Sequence, residues 1–398
     1  MKLGIEVFLQ NQKLINSLKK QRVALVCHPA SVNENLEHSL DILSKKLKVT
    51  CAFGPQHGVR GDKQDNMIES DDFVDLVLKI PIFSLYGEVR RPTPEMMQHF
   101  DVLIFDLQDL GCRIYTFITT LLYVMEECAR FGKKVIILDR PNPAGRPVEG
   151  FRMQKGWESF VGAAPIPMRH GLTVGELGIY FKDHYQIDVD LQVVKMKSYK
   201  PNHKNGYGWD IKRAWVNPSP NAATLNMARA YPGTVLIEGT TLSEGRGTTR
   251  ALEVIGASDI DYAEVLKRMK KLAPAWHKGV ILRECFFEPT FHKHVGKLCH
   301  GFQFHTDTEG YNHEQFKPFR LTALMMKVIL QMHPRYQLFR DFKYEYAFGK
   351  VAFDVINGGP SLREWIESKT ATVKQLDAAL KKDEQSWVKE RKKYLLYS

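Results

Sequence analysis

Val102-Leu-Ile-Phe-Asp106-Leu-Gln-Asp109 is an apolar run of strand length that ends in two carboxylates and an amide. A strand apolar at consecutive positions is buried on both faces, as in a parallel sheet covered by helices. The same form recurs at Arg22-Val-Ala-Leu-Val-Cys-His28, Lys48-Val-Thr-Cys-Ala-Phe53, Pro81-Ile-Phe-Ser-Leu85 and Lys134-Val-Ile-Ile-Leu-Asp139. Helical signals fall between these runs. Leu36, Leu40, Leu43 and Leu47 recur at helical spacing behind Asn33 as a cap, a short helix opens at Thr93-Pro94, and another runs from about Phe117 to Phe131 before Gly132. The first 145 residues therefore read as α/β.

From about residue 165 the pattern becomes mixed α+β. Thr173 and Glu176 form a capping box, Val189–Met196 reads as a strand, and helices are expected near Met227, around Val265 and from Lys317 to Met332. Strands containing Ile281-Leu282 and Phe302-Gln-Phe304 lie between the last two helices. The division is expected at residues 1–160 and 161–398, within a soft boundary.

The chain has 398 residues, 44% of them apolar and 25% charged, with 56 Lys and Arg against 45 Asp and Glu and a net charge of +11. That apolar fraction excludes a disordered chain, and the absence of Cys-x-x-Cys spacing among Cys27, Cys51, Cys112, Cys128, Cys285 and Cys299 fits buried free thiols. The bases are spread out, so no nucleic-acid partner is expected. The densest group, Lys389, Arg391, Lys392 and Lys393, reads as a solvated helix face. Glu6 interrupts the start where a signal peptide would be apolar, and no run approaches a membrane span. A cytoplasmic protein with no membrane partner is expected.

Each strand is followed at once by polar, Gly or Pro residues. Gly54-Pro55-Gln56-His57-Gly58, Asp106-Leu-Gln-Asp109 and Asp139-Arg140-Pro141-Asn142 would meet along the carboxyl edge of a parallel sheet. Turn chemistry does not require Gln56, His57, Arg113 and Arg140 together, so a site is expected there. No Gly-x-Gly-x-x-Gly follows the first strand, and Gly245-Arg-Gly-Thr-Thr249 lacks a Walker lysine; no cofactor is expected. His292-Lys-His294 has no Glu or Cys at zinc spacing, and no metal is expected. Asp106, Asp109, Asp139, Glu69, Glu149, Glu238 and Glu244 supply carboxylates for acid/base work; for Asp106 or Asp109, capping the following segment and pairing with Arg113 stands equal to a direct catalytic role.

Several blocks together resemble one family along nearly the whole chain. They include Gly54-Pro-Gln-His-Gly-Val-Arg-Gly61, Ser84-Leu-Tyr-Gly87, Leu138-Asp-Arg-Pro-Asn-Pro143, Pro165-Ile-Pro-Met-Arg-His-Gly-Leu172, Pro218-Ser-Pro-Asn221 and Glu238-Gly-Thr-Thr-Leu-Ser-Glu-Gly-Arg246. They resemble the NamZ/YbbC-like family of exo-β-N-acetylmuramidases. The resemblance implies a Rossmann-like parallel sheet domain followed by a smaller mixed α+β domain, with an active-site cleft between them. It also implies a hydrolase removing N-acetylmuramic acid from peptidoglycan fragments in cell-wall turnover.

In the family's P-E-H-G motif the carboxylate is catalytic, and here that position is Gln56. An amide cannot act as a general acid or base but can orient water or an acetamido group. Asp62, Glu69 and Asp109 are then the nearest carboxylates in sequence. Carried over, the catalytic set is Gln56, His57, Asp109 and Tyr115; the substrate-binding set is Arg60, Arg113, Arg140, Asn142, Arg169, His170, Asn221, Glu244 and Arg246. One or two of the arginines would read the lactyl carboxylate of the sugar, or else form internal salt bridges. The rival reading is a muramyl-sugar-binding protein of the same fold that lost catalysis through Gln56.

Overall fold

The computed structural model describes residues 1–61, 68–204, 206–342, 344–345 and 349–398. Twelve strands are named in chain order: β1 (Arg22–Val26), β2 (Lys48–Gly54), β3 (Phe73–Val74), β4 (Pro81–Ser84), β5 (Val102–Phe105), β6 (Lys134–Leu138), β7 (Glu149–Arg152), β8 (Pro167–Arg169), β9 (Asp190–Val194), β10 (Val254–Ala257), β11 (Ile281–Phe287) and β12 (Cys299–His305). The large sheet has the order β3-β4-β2-β1-β5-β6-β9, and only the β3–β4 pair is antiparallel. The chain steps outward from β1 to β4, then returns to β5 and proceeds to the other edge. A crevice belongs at the carboxyl ends where the order reverses.

Successive residues on a strand point to opposite faces, and the two faces feed two cores. Ala24, Val26, Leu103, Phe105, Val135 and Ile137 join a cluster with the helices Phe117–Arg130 and Val174–His184. Val23, Leu25, Val102, Ile104, Ile136 and Leu138 join another with the helices Gly4–Gln10, Gln12–Leu18 and Ser39–Ser44. This two-sided burial accounts for the unbroken apolar runs. The six cysteines are free and buried.

β9, which the division at residue 160 assigned to the second domain, pairs in parallel with β6 as the edge of the first sheet. The later part of the chain builds the antiparallel sheet β10-β12-β11 and the helices Leu225–Thr234 and Pro318–Met332 beside it. Its core is continuous with one face of the large sheet. The α/β architecture with a second, smaller unit is the one the sequence led us to expect.

Two local expectations differ from the structure. Asn33 does not cap a helix: its side-chain oxygen accepts from the amides of Asn35 and Glu37 at 2.9 and 3.0 Å. That turn puts Leu36 in the left-handed region at φ +62° and leaves it exposed, and the helix starts at Ser39 behind His38. The basic carboxyl-terminal group is also not uniformly solvated. Arg391 is buried and donates to the His170 carbonyl at 3.0 Å, while Lys393 pairs with Asp183 at 2.8 Å.

The long helix Val373–Arg391 thus returns the chain end to the first sheet. Tyr397 donates to Asp139 at 2.6 Å and accepts from the Met196 amide at 2.9 Å, and the Leu396 amide donates to Glu176 at 2.8 Å. Tyr397→Phe is expected to cost about 1–2 kcal/mol in urea unfolding with an unchanged m-value; an unchanged midpoint would show that this anchor contributes nothing.

Candidate active site

A pocket opens beyond the carboxyl ends of β2 and β5 and is closed from the other side by the second unit. The first unit supplies Gln56, His57, Tyr115 and Thr116; the second supplies Ser219, Asn221, Tyr231, Glu238, Arg246, Tyr344 and Glu345. The turn after β2 aims its side chains by a sharp reversal. His57 sits at φ +72°, followed by Gly58 at +76°, a conformation that non-glycine residues adopt when their surroundings fix it. Gln56 and His57 are buried there.

Glu345, also at positive φ (+44°), meets this turn from the opposite wall. The Gln56 amide nitrogen donates to its carboxylate at 3.4 Å, and the Tyr86 hydroxyl lies 3.0 and 2.9 Å from its two oxygens. Thr116 in turn donates to the Gln56 amide oxygen at 2.8 Å, which fixes the direction of the amide. Glu345 is only 5% exposed, and burial, reinforced by the charge of Glu238, pushes its carboxyl up to about 7.

Glu238 occupies a different environment. It accepts from Arg246 at 2.6 Å and from the Tyr344 hydroxyl at 2.7 Å, so a guanidinium balances its charge. Arg246 is shared with Glu244 at 3.1 Å, and Glu244 pairs with Lys293 at 2.6 Å. Burial opposes the ionisation of Glu244, but Lys293, Arg246 and His292 outweigh it and hold the carboxyl down at about 2. Tyr115 packs between Phe117 and Tyr231, with ring centroids 4.5 and 5.9 Å away; burial raises its phenol, which stays a neutral donor.

Two family models cover the chain. That for the amino-terminal part of the exo-β-N-acetylmuramidase NamZ matches residues 23–226, and that for its carboxyl-terminal part matches residues 229–397. The chain belongs to the NamZ family. Peptidoglycan β-N-acetylmuramidase NamZ of Bacillus subtilis (strain 168) is 40% identical over 99% of this chain and 91% of its own length. Two crystal structures of DUF1343 family proteins from Bacteroides fragilis NCTC 9343 cover 100% of this chain and 99% of their own, with TM-scores of 0.86 and 0.76 at 29% and 28% identity.

Of the NamZ-family positions carried over from sequence, Gln56, His57, Tyr115, Asn221 and Arg246 line the pocket. The others do not. Arg140 pairs with buried Asp106 at 2.6 Å, and Arg169 donates to the Ala144 carbonyl at 2.9 and 2.6 Å. Asn142 bonds the Leu172 carbonyl and the Ala144 amide; Glu244 stands behind Arg246. Arg60 is exposed, its guanidinium 4.8 Å from the centre of the Phe73 ring. Arg113 donates to four backbone carbonyls, with no carboxylate among its hydrogen-bond partners in the described residues.

Asp109 and His170 are fully enclosed beneath the pocket, 3.9 Å apart. Asp109 accepts from the Gly111 amide at 2.6 Å, so it closes a turn and does not pair with Arg113. Asp62 lies outside the described residues, and Glu69 pairs with Arg90 at 3.3 Å. Tyr86 lay in the Ser84–Gly87 block without a role, while Glu345 and Tyr344 escaped the sequence reading. The one signal for them was a carboxylate between tyrosines in Tyr344-Glu345-Tyr346, within a stretch lacking helical or strand periodicity.

Burial pushes Asp109 up to about 7, against the pull of the Gly111 and Leu110 amides. An unfolded Asp titrates near about 3.9. Between those values the native chain holds a proton that the unfolded chain releases, so this group lowers stability as pH rises from about 4 to about 7. Asp109→Asn keeps an acceptor for Gly111 and should lose less stability between pH 4.5 and 7.5 than the natural chain. Thermal unfolding at both pH values checks this, and an identical loss in both proteins would contradict it.

Proposed function

We propose that the chain is an exo-acting β-N-acetylmuramidase that needs no carboxylate at position 56, because Glu345 is its general acid. The observation that carries this reading is the Glu345 carboxyl, buried in the pocket against Gln56 and Tyr86 with its proton retained to about pH 7. Glycoside cleavage uses a pair of carboxyl groups, and Glu238 lines the same pocket as Glu345. Family membership and the activity named for the Bacillus subtilis relative support a muramyl sugar as substrate.

In this mechanism Glu345 gives its proton to the glycosidic oxygen as the bond from the sugar C1 breaks, and the remaining glycan leaves as an alcohol. Glu238, its charge balanced by Arg246, faces the positive charge that develops on the sugar ring. Water adds its hydroxyl to C1 and its remaining proton restores Glu345. Gln56 and Tyr86 hold the acid, while His57, Tyr115 and Asn221 orient the sugar. Arg246 is the one pocket-lining member of the five arginines expected to read the lactyl carboxylate.

Release of chromophore from an aryl β-N-acetylmuramide tests the reading. The rate should fall on the alkaline side of about pH 7, as Glu345 loses its proton. Glu345→Gln should lower kcat by about 10²–10⁴-fold with little change in KM. Gln56→Glu places a second carboxylate beside Glu345 and should move the alkaline limb upward with a modest change in maximal rate. Gln56 itself favours the second reading, a sugar-binding protein without turnover. A natural chain that binds the sugar and is inactive at every pH, but gains hydrolysis with Gln56→Glu, would establish that alternative instead.

A further inference from the structure

Glu345 lines two cavities. One is the inner pocket with Gln56, His57 and Glu238; the other is an open groove of about 480 Å³ on its far side. The inner cavity has room for about 30 Å³, space for about two waters at roughly 10–15 Å³ each. The groove holds a volume suited to a pyranose. Tyr123 and Phe160 form its aromatic wall, their ring centroids 6.0 Å apart. Its polar rim includes Ser159, Arg90 and Lys350.

The rim is built and held. The Arg90 guanidinium lies 4.0 Å from the centre of the Tyr86 ring and donates to the Gly87 carbonyl and to Glu69. Lys350 donates to the Gly156 carbonyl and lies 4.7 Å from the centre of the Trp157 ring. The Ser159 hydroxyl is buried with no hydrogen-bond partner among the described residues, and a buried hydroxyl without one invites a ligand.

A general acid must touch the oxygen that joins the sugar being released to the rest of the glycan. A residue on the partition between two cavities therefore assigns one cavity to each side of the bond. We infer that the groove walled by Tyr123 and Phe160 and rimmed by Ser159 and Lys350 binds the leaving part of the glycan, a hydroxyl-rich amino sugar packed beside Tyr123, one face of which the Arg91 guanidinium covers at 3.7 Å from the ring centre. This rests on the proposed role of Glu345; Tyr123 and Lys350, on which the test is made, have no part in that role. The mixed charge of the rim, with Glu158 and Glu69 beside Arg90 and Lys350, suits a neutral sugar better than an anionic group.

Calorimetric titration separates the two claims. The probes are methyl β-N-acetylmuramide and the sulfur-linked disaccharide of N-acetylmuramic acid with N-acetylglucosamine, which resists hydrolysis. The natural chain should bind the disaccharide at least tenfold more tightly. Tyr123→Ala and Lys350→Ala should each remove most of that increment and keep the monosaccharide affinity within twofold, which also shows that the variants fold. Equal affinity of the natural chain for the two probes would overturn the inference, as would a parallel loss for both probes in both variants. Failure to cleave the oxygen-linked disaccharide would count against the catalytic reading alone, since the binding increment is measured without turnover.

Discussion

A buried guanidinium ties the two units together. Arg113, two residues before Tyr115, donates to the carbonyls of Phe151 and Ile166 at 3.0 Å, of Ile356 at 3.0 Å and of Asn357 at 2.5 Å. Burial lowers it to about 10, so it stays charged at neutral pH. Ile356 and Asn357 close the helix Ala352–Asn357, whose last carbonyls have no partner within the helix and carry its partial negative charge. Gly358 ends that helix at φ +78°, and a Cβ there would come within 3.0 Å of the guanidinium. The loop that carries Tyr115 and Thr116 and the helix that follows the Glu345 segment are thereby fixed to each other, and the pocket lies where they meet.

The strand runs were legible because burial on both faces leaves a mark in every residue. β1, β5 and β6 have no polar interior position to confuse the reading. The turn after β2 was legible for the opposite reason, since Gln56 and His57 have no business in a plain turn. Glu345 left no such mark. Its position beside Gln56 depends on a chain return across 289 positions, and its protonation depends on enclosure by walls from both units. Residue type alone carries neither fact.

The arginines show the same limit from another side. Arg113, Arg140 and Arg169 lie in blocks shared with the family, where a guanidinium suits a carboxylate and an internal salt bridge equally. Two of them neutralise nothing that a sequence displays: backbone carbonyls accept from Arg113 and Arg169, and every chain has carbonyls. Asn33 was misplaced by a shorter-range version of the problem, because the oxygen that caps helices also closes turns. Part of the positive charge of the chain sits buried on Arg113 and Arg169.

Gln56 and Glu345 then form one device. A neutral amide, oriented by Thr116, donates to the buried Glu345 carboxyl, and the proposed mechanism gives that carboxyl the acid role at a site where the family motif places a carboxylate at position 56. The most direct measurement is the titration of the Glu345 side chain itself, followed by the carbonyl ¹³C shift in glutamate-labelled protein and assigned with Glu345→Gln. A midpoint near about 7 is the result this account requires. A midpoint at the ordinary glutamate value of about 4.3 would contradict it.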